Sequence, residues 1–303
     1  MAKIENNVDL KKYNTYHVGG KADYFTIAKS RQDLIDAFNF AKEKQIPYAV
    51  LGKGSNVLVS SEGFRGLVAI NKHNEIKRNE QSIWASAGTS IAALTKFTRD
   101  EGLSGIEFLA GVPGSLGGAI VGNAGCFGEK ISDVLESVEF INEDGEAITL
   151  PKEKLGFSYR ESAFKKSVKG IILGATLKLS ESGSKEVEQK VEEILKKRSA
   201  KDPRGKTSGS FFKNIPESKA SAKILGEIVV RGIDGNIPTG KLIDEAGCKG
   251  MKVGGAQVST HNAGFIINTG DATTDDIKEL AEQVKKKVYN KFGVEIEPEV
   301  RYL

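Results

Sequence analysis

Hydrophobic positions early in the chain recur first with a helical period and then in short dense runs. After Ser30, the segment RQDLIDAFNFAKEKQ has apolar residues three or four positions apart: Leu34, Ala37, Phe38 and Ala41. This spacing predicts an amphipathic helix, and Pro47 follows it as a stop. The runs YAVL and VLVS then predict two short strands on either side of a glycine turn, GKGSN at 52–56.

The rest of the chain mixes helical and strand patterns without a regular alternation. Helical spacing recurs in three further segments: 89–101, 185–198 and 274–292. Strand-like runs lie at 138–141, 171–179 and 264–268, and the chain closes on the strand-like VEIEPEVRYL. Because strands and helices do not alternate, we expect an α+β fold and not a doubly wound parallel sheet.

Length and composition indicate a globular chain of more than one domain. A single hydrophobic core stops growing near about 250–300 residues, so 303 residues predict two or three domains. The polar, turn-forming stretch KDPRGKTSG places one boundary near residue 200. Hydrophobic residues make up 39% and charged residues 28%, which is too apolar for a disordered chain.

Charge and cysteine content exclude several classes of partner and site. There are 44 basic and 40 acidic residues, a net charge of +4 that predicts no nucleic-acid-binding surface. Cys126 and Cys248 lie far apart and form no CxxC pair or His/Cys cluster, so no disulfide framework or metal site is expected. The N-terminal segment has no signal-like pattern, and no stretch approaches the ~18 apolar residues of a membrane span. A cytoplasmic location without membrane contact is expected.

Glycine is concentrated in LAGVPGSLGGAIVGNAG, at 109–125. Glycine lets the backbone take positive φ and approach a ligand closely, at a cost in chain entropy. The segment is therefore either a tight buried loop or part of a ligand site, and its residues alone leave both interpretations open.

The stretch KTSGSFFKN, at 206–214, admits three interpretations. A phosphate-binding loop ending at Gly205-Lys206-Thr207 needs a glycine where Ala200 stands, and it needs a strand where a helical pattern precedes. Ser210-x-x-Lys213 matches serine acyl-enzymes, but a proline follows too early for the required helix and no Ser-Asp-Asn occurs. The third interpretation makes Ser210 the donor of a single proton.

Two further common arrangements are missing. No G-x-S-x-G elbow surrounds Ser210, and the histidines, His17, His73 and His261, carry no sign of a triad, so nucleophilic serine chemistry is not expected. The G-x-G at Gly52 and Gly54 has Val57 where a dinucleotide fingerprint needs its third glycine. Any dinucleotide must therefore be held by another scaffold.

Taken together, seven segments resemble the UDP-N-acetylenolpyruvoylglucosamine reductases, flavoenzymes that complete UDP-N-acetylmuramic acid for bacterial peptidoglycan. The segments extend over nearly the whole chain: NTYHVGG (14–20), LGKGSNVLVS (51–60), GVPGSLGGAIVGNAG (111–125), FSYRESAFK (157–165), SGSFFKN (208–214), VGGAQVS (253–259) and EPEVRYL (297–303). The resemblance implies FAD and NADPH as cofactors and a small-molecule substrate, the enolpyruvyl ether of a UDP-sugar. It also implies a ping-pong order in which NADPH enters first, reduces FAD and leaves as NADP⁺ before substrate enters.

The resemblance implies a definite domain order. Residues 1–199 form an FAD-binding domain of the vanillyl-alcohol-oxidase type in two parts, with a boundary near 75. Residues 200–293 form a smaller α+β substrate-binding domain, and 294–303 are a terminal strand that returns to the active site. The implied FAD-binding residues lie in the two glycine-rich segments: Gly52, Lys53, Gly54, Ser55, Asn56, Gly114, Ser115, Gly117, Gly118, Asn123 and Gly125. Their backbone amides suit a diphosphate.

Three positions match the family's catalytic residues: Arg160, Ser210 and Glu299. Hydride addition to the vinyl carbon leaves negative charge delocalised into the substrate carboxylate, and a permanently charged guanidinium such as Arg160 suits that charge. A proton must then reach the adjacent carbon, and Ser210 is the expected donor, at contact distance from a basic enolate. Glu299 is expected to work beside the arginine.

Other residues are implied as substrate contacts: Tyr159, Lys213, Asn214 and Gln257. Three basic residues are further candidates that the sequence does not rank: Arg198, Lys201 and Lys206. A monomer is the expected state.

The sequence departs from the family in two places. One branch carries a long tyrosine-bearing insertion after the Tyr-Arg-x-Ser motif, whereas here SVKGIIL follows Lys166 directly, so the chain resembles the branch without it. Asn262 stands where the family usually has histidine, with His261 one place earlier, which leaves that substrate contact open.

Two other functions remain possible on the sequence. An FAD-dependent oxidase of an unrelated alcohol uses the same scaffold but does not require SGSFFKN or EPEVRYL. A non-catalytic FAD- or UDP-sugar-binding module is expected to have lost one of the three catalytic residues, and all three are present.

Overall fold

The computed structural model describes residues 2–220, 224, 226, 232 and 235–303. These residues form two compact units. The first consists of Met1–Val8, Ala22–Lys53 and Arg65–Arg198, and the second of Asp9–Lys21, Gly54–Phe64 and Ser199–Leu303. The second unit thus includes two segments, 9–21 and 54–64, that precede the boundary predicted near residue 200.

Helices and strands alternate irregularly along the chain. The α-helices of the described residues are α1 (Arg31–Glu43), α2 (Ile91–Asp100), α3 (Leu116–Val121), α4 (Ile131–Val134), α5 (Ser184–Lys201), α6 (Thr239–Glu245) and α7 (Thr274–Phe292). The strands are β1 (Glu5–Asp9), β2 (Lys21–Ala28), β3 (Tyr48–Leu51), β4 (Val57–Leu58), β5 (Phe64–Asn71), β6 (Ile76–Asn79), β7 (Ser82–Ser86), β8 (Leu103–Ser104), β9 (Gly125–Cys126), β10 (Glu129–Lys130), β11 (Leu135–Ile141), β12 (Ala147–Pro151), β13 (Ile171–Lys178), β14 (Ser180–Glu181), β15 (Lys252–Val253), β16 (Ala256–Val258), β17 (Ile266–Asn268) and β18 (Arg301–Tyr302).

The first unit contains two main sheets. One has the strand order β1-β2-β5-β3, with β3 and β5 parallel. The other has the order β12-β11-β13-β7-β6, and its neighbours are antiparallel. The chain passes from the first sheet to the second between Asn71, the end of β5, and Ile76, the start of β6.

Helix α1 packs against both of these sheets. Ser30 caps its first turn in a capping box with Asp33, which fixes where the helix begins. Its apolar stripe divides, because Leu34 and Phe38 pack with β11 and β13 residues while Ala37 and Ala41 pack with Leu67 and Ala69 of β5. Burial of such side chains contributes roughly 1.5–3 kcal/mol for each large one.

The second unit is organised around α7 and a three-stranded antiparallel sheet, β15-β16-β17. Its core contains buried residues of α7, of the SGSFFKN segment and of the early segment 9–21, among them Val284, Phe211, Phe212 and Tyr16. Strand β18 lies parallel to β4, with Arg301 opposite Val57 and Tyr302 opposite Leu58. The last residues of the chain are thereby paired with 57–58.

The structure confirms the α+β class and the four predicted long helices, and it corrects two local expectations. The glycine-rich segment contains a short helix, α3, capped by the Ser115 side chain. In the closing segment, Val294, Ile296 and Val300 are buried as expected, but only Arg301–Tyr302 is strand. Among the residues that the structure describes, no helix is both long enough and apolar enough to cross a membrane.

Candidate active site

Gly52 and Ser115, one from each glycine-rich segment, are in contact within the first unit. A Cβ on Gly52 would lie 2.2 Å from the Ser115 hydroxyl, well inside van der Waals contact. Only glycine allows this approach of the loop after β3 to the start of α3. The sequence predicts that both segments bind the same cofactor. In the first unit, Gly52 of one segment lies beside Ser115 of the other.

The start of α3 uses most of its backbone donors within the protein. The Leu116 and Gly117 amides donate to the carbonyls of Thr89 and Ala87 at 2.9 and 2.8 Å, so these amides do not turn toward a ligand as expected. Gly118 differs, because it is exposed and a Cβ there would meet only Ser115 Oγ, at 3.6 Å. Of these residues, Gly118 presents an uncovered backbone surface suited to a flat ring or a phosphate.

The end of the same segment is tightly packed. A Cβ on Gly125 would lie 2.5 Å from the Glu129 carbonyl oxygen, so glycine is needed there by the protein's own backbone. Asn123 is 1% exposed and has a positive φ of 41°. Its side chain donates to the Ser158 carbonyl at 2.8 Å and accepts from the Ser132 amide at 3.3 Å.

Tyr159 and Arg160 form the tip of a tight turn. Ser158 and Glu161 exchange two backbone hydrogen bonds of 3.1 Å on either side of it. Arg160 has φ 56°, a left-handed conformation that is uncommon for a residue other than glycine. Its guanidinium lies 5.4 Å from the centre of the Tyr159 ring, and the Lys165 ammonium donates to its carbonyl. Strand β13 begins only five residues after Lys166, so the chain has no insertion there.

In the second unit, Ser210 and Glu299 lie on paired extended segments. The Glu299 amide donates to the Phe211 carbonyl at 2.8 Å, and Phe212 bridges to Pro298. Phe211 is fully buried and Phe212 is 3% exposed, so the two rings anchor the segment in the core. Ser210 itself is exposed and Glu299 is half-buried. Two residues predicted as catalytic are therefore neighbours in the fold.

Asn56 ties the glycine loop to this pair. Its side-chain amide donates to the Glu299 carbonyl at 3.3 Å, and its own carbonyl accepts from the Arg301 amide at 3.1 Å. The sequence predicted Asn56 as a cofactor contact and missed this link. A local sequence pattern does not predict this contact, since the two residues are 243 positions apart.

Tyr16 and Thr207, three residues before Ser210, form a polar cluster around the Ile266 carbonyl. Tyr16 is fully buried, and its hydroxyl donates to the Ile266 carbonyl at 3.2 Å. The Thr207 hydroxyl donates to the same carbonyl at 2.8 Å. Burial raises the pKa of Tyr16, so the phenol stays protonated and keeps its donor role. This cluster explains part of the NTYHVGG motif, to which the sequence assigned no role.

Two of the predicted substrate contacts of the second unit, Lys213 and Asn214, lie near Ser210 in sequence, and the third, Gln257, lies on the three-stranded sheet. Lys213 is half-buried and pairs with Glu297 at 3.6 Å. Asn214 accepts from the Thr239 amide at 3.3 Å, at the start of α6. Gln257 lies on β16 between the buried Ala256 and Val258, so its side chain is on the opposite face of the strand.

His261 and Asn262 both contact the C-terminal end of α5. His261 Nε2 is 3.0 Å from the Ala200 carbonyl, and the Asn262 side chain donates to the Lys201 carbonyl at 3.3 Å. These carbonyls lie in the last turn of the helix, where backbone acceptors lack helical partners. Asn262 thus has a structural role at the position where the sequence left a substrate contact open.

Arg198, one of the three basic residues considered as possible substrate contacts, contacts other residues of the first unit. Its guanidinium lies 2.9 Å from the Cys126 sulfur and 5.7 Å from the centre of the Phe127 ring. This places it against the residues that follow the glycine-rich segment.

Comparisons with known proteins identify the family of this chain. A family model described as the C-terminal domain of UDP-N-acetylenolpyruvoylglucosamine reductase matches residues 200–303, and one described as an FAD binding domain matches 22–151. The UDP-N-acetylenolpyruvoylglucosamine reductase of Clostridium novyi is 38% identical over 301 residues, which cover 99% of this chain and 92% of that relative. The chain belongs to the UDP-N-acetylenolpyruvoylglucosamine reductase family.

Other members of the reductase family give the same result. The reductase of Protochlamydia amoebophila is 38% identical over 303 residues, with 99% of this chain and 94% of the relative covered. The crystal structure of the reductase from Thermus caldophilus matches with a TM-score of 0.80 and 32% identity, covering 100% of this chain and 99% of the other. The sequence-based assignment to this family and to its fold is confirmed.

FAD is the cofactor of this reductase-family chain, since the FAD-binding match includes both glycine-rich segments. The residues fit such a group. The contact of Gly52 with Ser115 brings the two glycine-rich segments together, and Gly118 leaves an open backbone surface at the start of α3. The chain is accordingly an oxidoreductase that acts on a small molecule.

Proposed function

We propose that this chain reduces the enolpyruvyl ether of UDP-N-acetylenolpyruvoylglucosamine to UDP-N-acetylmuramate, with NADPH as electron donor and Arg160, Ser210 and Glu299 as catalytic residues. The relatives named above carry the name of this activity. In this proposal, residues 1–199 bind FAD and residues 200–293 bind substrate. The terminal segment 294–303 brings Glu299 back to the site.

The observation that carries the proposal is the pairing of the SGSFFKN segment with the terminal segment. A 2.8 Å hydrogen bond from the Glu299 amide to the Phe211 carbonyl holds Glu299 beside the residue next to Ser210. Neither a generic FAD oxidase nor a simple binding module needs the segments that carry Ser210 and Glu299 to be paired in this way. This favours the reductase over both alternatives.

The glycine-rich segments would hold FAD, which would supply the hydride for the vinyl carbon of the substrate, with NADPH as the source of electrons. Arg160 binds the substrate carboxylate, because a guanidinium offers forked donors and a permanent charge to the oxygens on which negative charge develops. The rigid turn that carries Arg160 limits the movement of its backbone, which keeps the donors aimed. Tyr159 stacks on the guanidinium and shields one of its faces.

Ser210 donates the proton that completes the reduction. Its hydroxyl is exposed on a segment that two buried phenylalanines fix, so it can contact a bound ligand without moving the chain. Glu299 stays beside it and helps to neutralise the developing charge. Lys213, Asn214 and Gln257 bind the diphosphate and sugar of the UDP group.

Three further properties belong to the proposal. NADPH and the enolpyruvyl sugar use the site in turn, which gives ping-pong kinetics. The chain acts as a monomer, without a nucleic-acid or membrane partner. It works in the cytoplasm, in keeping with a nucleotide-sugar substrate and a nicotinamide donor.

The proposal is tested by product analysis with two electron donors. Purified holoprotein is incubated with UDP-N-acetylenolpyruvoylglucosamine and either NADPH or NADH, and the products are separated and weighed by mass spectrometry. We expect a product two mass units heavier than the substrate, formed faster with NADPH. An unchanged substrate with both donors contradicts the proposed activity, and a faster reaction with NADH contradicts only the donor assignment.

A further inference from the structure

The turn that carries Arg160 is fixed to helix α3 by two buried side chains. Asn123, two residues after the end of the helix, donates from its side-chain amide to the Ser158 carbonyl at 2.8 Å. Ser162 donates from its hydroxyl to the Val121 carbonyl at 2.8 Å. Each of these two side chains is 1% exposed. One bond lies on each side of the Tyr159–Arg160 tip, so the turn is held at both of its ends.

Arg160 needs such support because its backbone conformation is unfavourable. A φ of 56° at a residue with a long side chain persists only where the surroundings impose it. The backbone pairing of Ser158 with Glu161 closes the turn, but that pairing does not fix the turn to the rest of the unit. The contacts from Asn123 and Ser162 supply this attachment.

Asn123 is itself built for this position. Asparagine tolerates the positive φ of 41° better than most residues, and its carbonyl oxygen accepts from the Ser132 amide at 3.3 Å while its amide reaches Ser158. The side chain thus links the end of α3, the start of α4 and the arginine turn. The sequence assigned Asn123 to the flavin, but both ends of its side chain contact the protein.

We propose that Asn123 and Ser162 are positioning residues that act through Arg160, an inference that rests on the proposed catalytic role of that arginine. They fix the Arg160 guanidinium, which binds the substrate carboxylate, relative to the glycine-rich helix α3. The start of α3 is the expected flavin contact. A displacement of about 1 Å at such a group costs up to about a hundredfold in rate. Loss of either bond therefore impairs the step with the enolpyruvyl substrate and spares the step with NADPH.

The test compares two variants by anaerobic stopped-flow measurement of the holoprotein. Asn123→Asp is nearly isosteric, keeps the acceptor for Ser132 and loses the donor to Ser158. Ser162→Ala removes the other bond independently. Flavin content, the rate of flavin reduction by NADPH and the rate of flavin reoxidation by the enolpyruvyl sugar are recorded for each. We expect full flavin content, reduction within about twofold of the parent and reoxidation slowed about tenfold or more.

A double-variant comparison separates positioning from general destabilisation. In an Arg160→Ala background, Asn123→Asp and Ser162→Ala have no arginine left to position, so we expect neither to slow reoxidation further. Ser167→Ala, the same change as Ser162→Ala at an exposed site in the following turn, serves as the matched control and leaves both rates unchanged.

The outcomes distinguish this inference from the proposed function. Normal reoxidation in Arg160→Ala overturns the catalytic role of the arginine and the inference with it. Slow reoxidation in Arg160→Ala, with normal rates in both Asn123→Asp and Ser162→Ala, overturns the inference alone. Losses that multiply in the double variants, or an equal loss in both half-reactions, also overturn it. If Asn123→Asp does not fold, Ser162→Ala and its double variant decide the question.

Discussion

At the scale of single residues, the proposed catalytic residues are exposed or half-buried, and buried residues lie beside them. Ser210 is exposed, while Phe211 beside it is fully buried. Arg160 lies at the tip of a turn that the buried Asn123 and Ser162 hold. The motifs predict Ser210 and Arg160 as catalytic because their chemistry is specific. The supporting roles of Asn123 and Ser162 were not predicted, since a buried asparagine or serine shows its role only through its partner.

Replacement of Ser210 by alanine tests the proton-donor role. Loss of a general acid typically costs about 10²–10⁴-fold in rate, so Ser210→Ala should slow turnover of the enolpyruvyl sugar by this amount. Flavin reduction by NADPH should stay near normal, because it needs no proton from the serine. Ser208→Ala, two positions away and buried, is the matched control. Equal damage to both half-reactions in Ser210→Ala contradicts the role.

A methyl group at Gly52 tests the close approach of the glycine-rich segments. The added Cβ would lie 2.2 Å from Ser115 Oγ, so the loop or the start of α3 must shift. We expect Gly52→Ala to lower the free energy of unfolding by about 1–3 kcal/mol and to weaken flavin retention. Flavin content after gel filtration and a denaturant titration measure both effects. Gly183→Ala, where an added Cβ meets no atom within 4 Å, should change neither, and an unaffected Gly52→Ala contradicts the geometry.

At the scale of elements, the long periodic helices and the strands β11 and β13 were predicted, whereas strand β5 and helix α3 were missed. The predicted segments 89–101, 185–198 and 274–292 correspond to α2, α5 and α7, with ends that differ by zero to three residues. Strand β5 was missed because six of its eight residues are buried in succession, which removes the alternation that marks a half-buried strand. Helix α3 was missed because glycine disfavours helix, and here the Ser115 cap and tertiary packing override that preference.

The start of α7 gives a pH-dependent prediction. Hydrogen bonds from the Thr273 backbone and side chain hold the pKa of Asp276 below its ordinary value. Since the folded-state pKa is the lower one, this stabilisation is present above the unfolded-state pKa, near 3.8, and is lost as the pH falls through the folded-state pKa. Asp276→Asn should therefore lower the free energy of unfolding by up to about 1 kcal/mol at neutral pH.

Denaturant titrations at several pH values measure this difference. The gap between the parent and Asp276→Asn should shrink toward zero in acid. Glu279→Gln, the same carboxylate-to-amide change one turn further along α7, should show a smaller gap at neutral pH. A gap for Asp276→Asn that stays constant down to strongly acidic pH contradicts a capping role for the carboxylate.

At the scale of the whole molecule, each compact unit contains residues that the sequence predicts as catalytic. Arg160 belongs to the first unit, and Ser210 and Glu299 belong to the second. The loop 52–56 runs from one unit into the other, and its last residue, Asn56, holds the Glu299 backbone. Sequence motifs identified the family, because they are short and chemically specific. The assignment of 9–21 and 54–64 to the second unit depends on long-range pairing, which no local pattern records.

The measurement that tests the central claim most directly follows both half-reactions in one anaerobic experiment. Flavin absorbance of the purified holoprotein is recorded after addition of NADPH and again after addition of UDP-N-acetylenolpyruvoylglucosamine. The account predicts bleaching by NADPH and then recovery of the oxidised spectrum that depends on the enolpyruvyl sugar. A flavin that bleaches but recovers only when oxygen is admitted contradicts the proposed substrate.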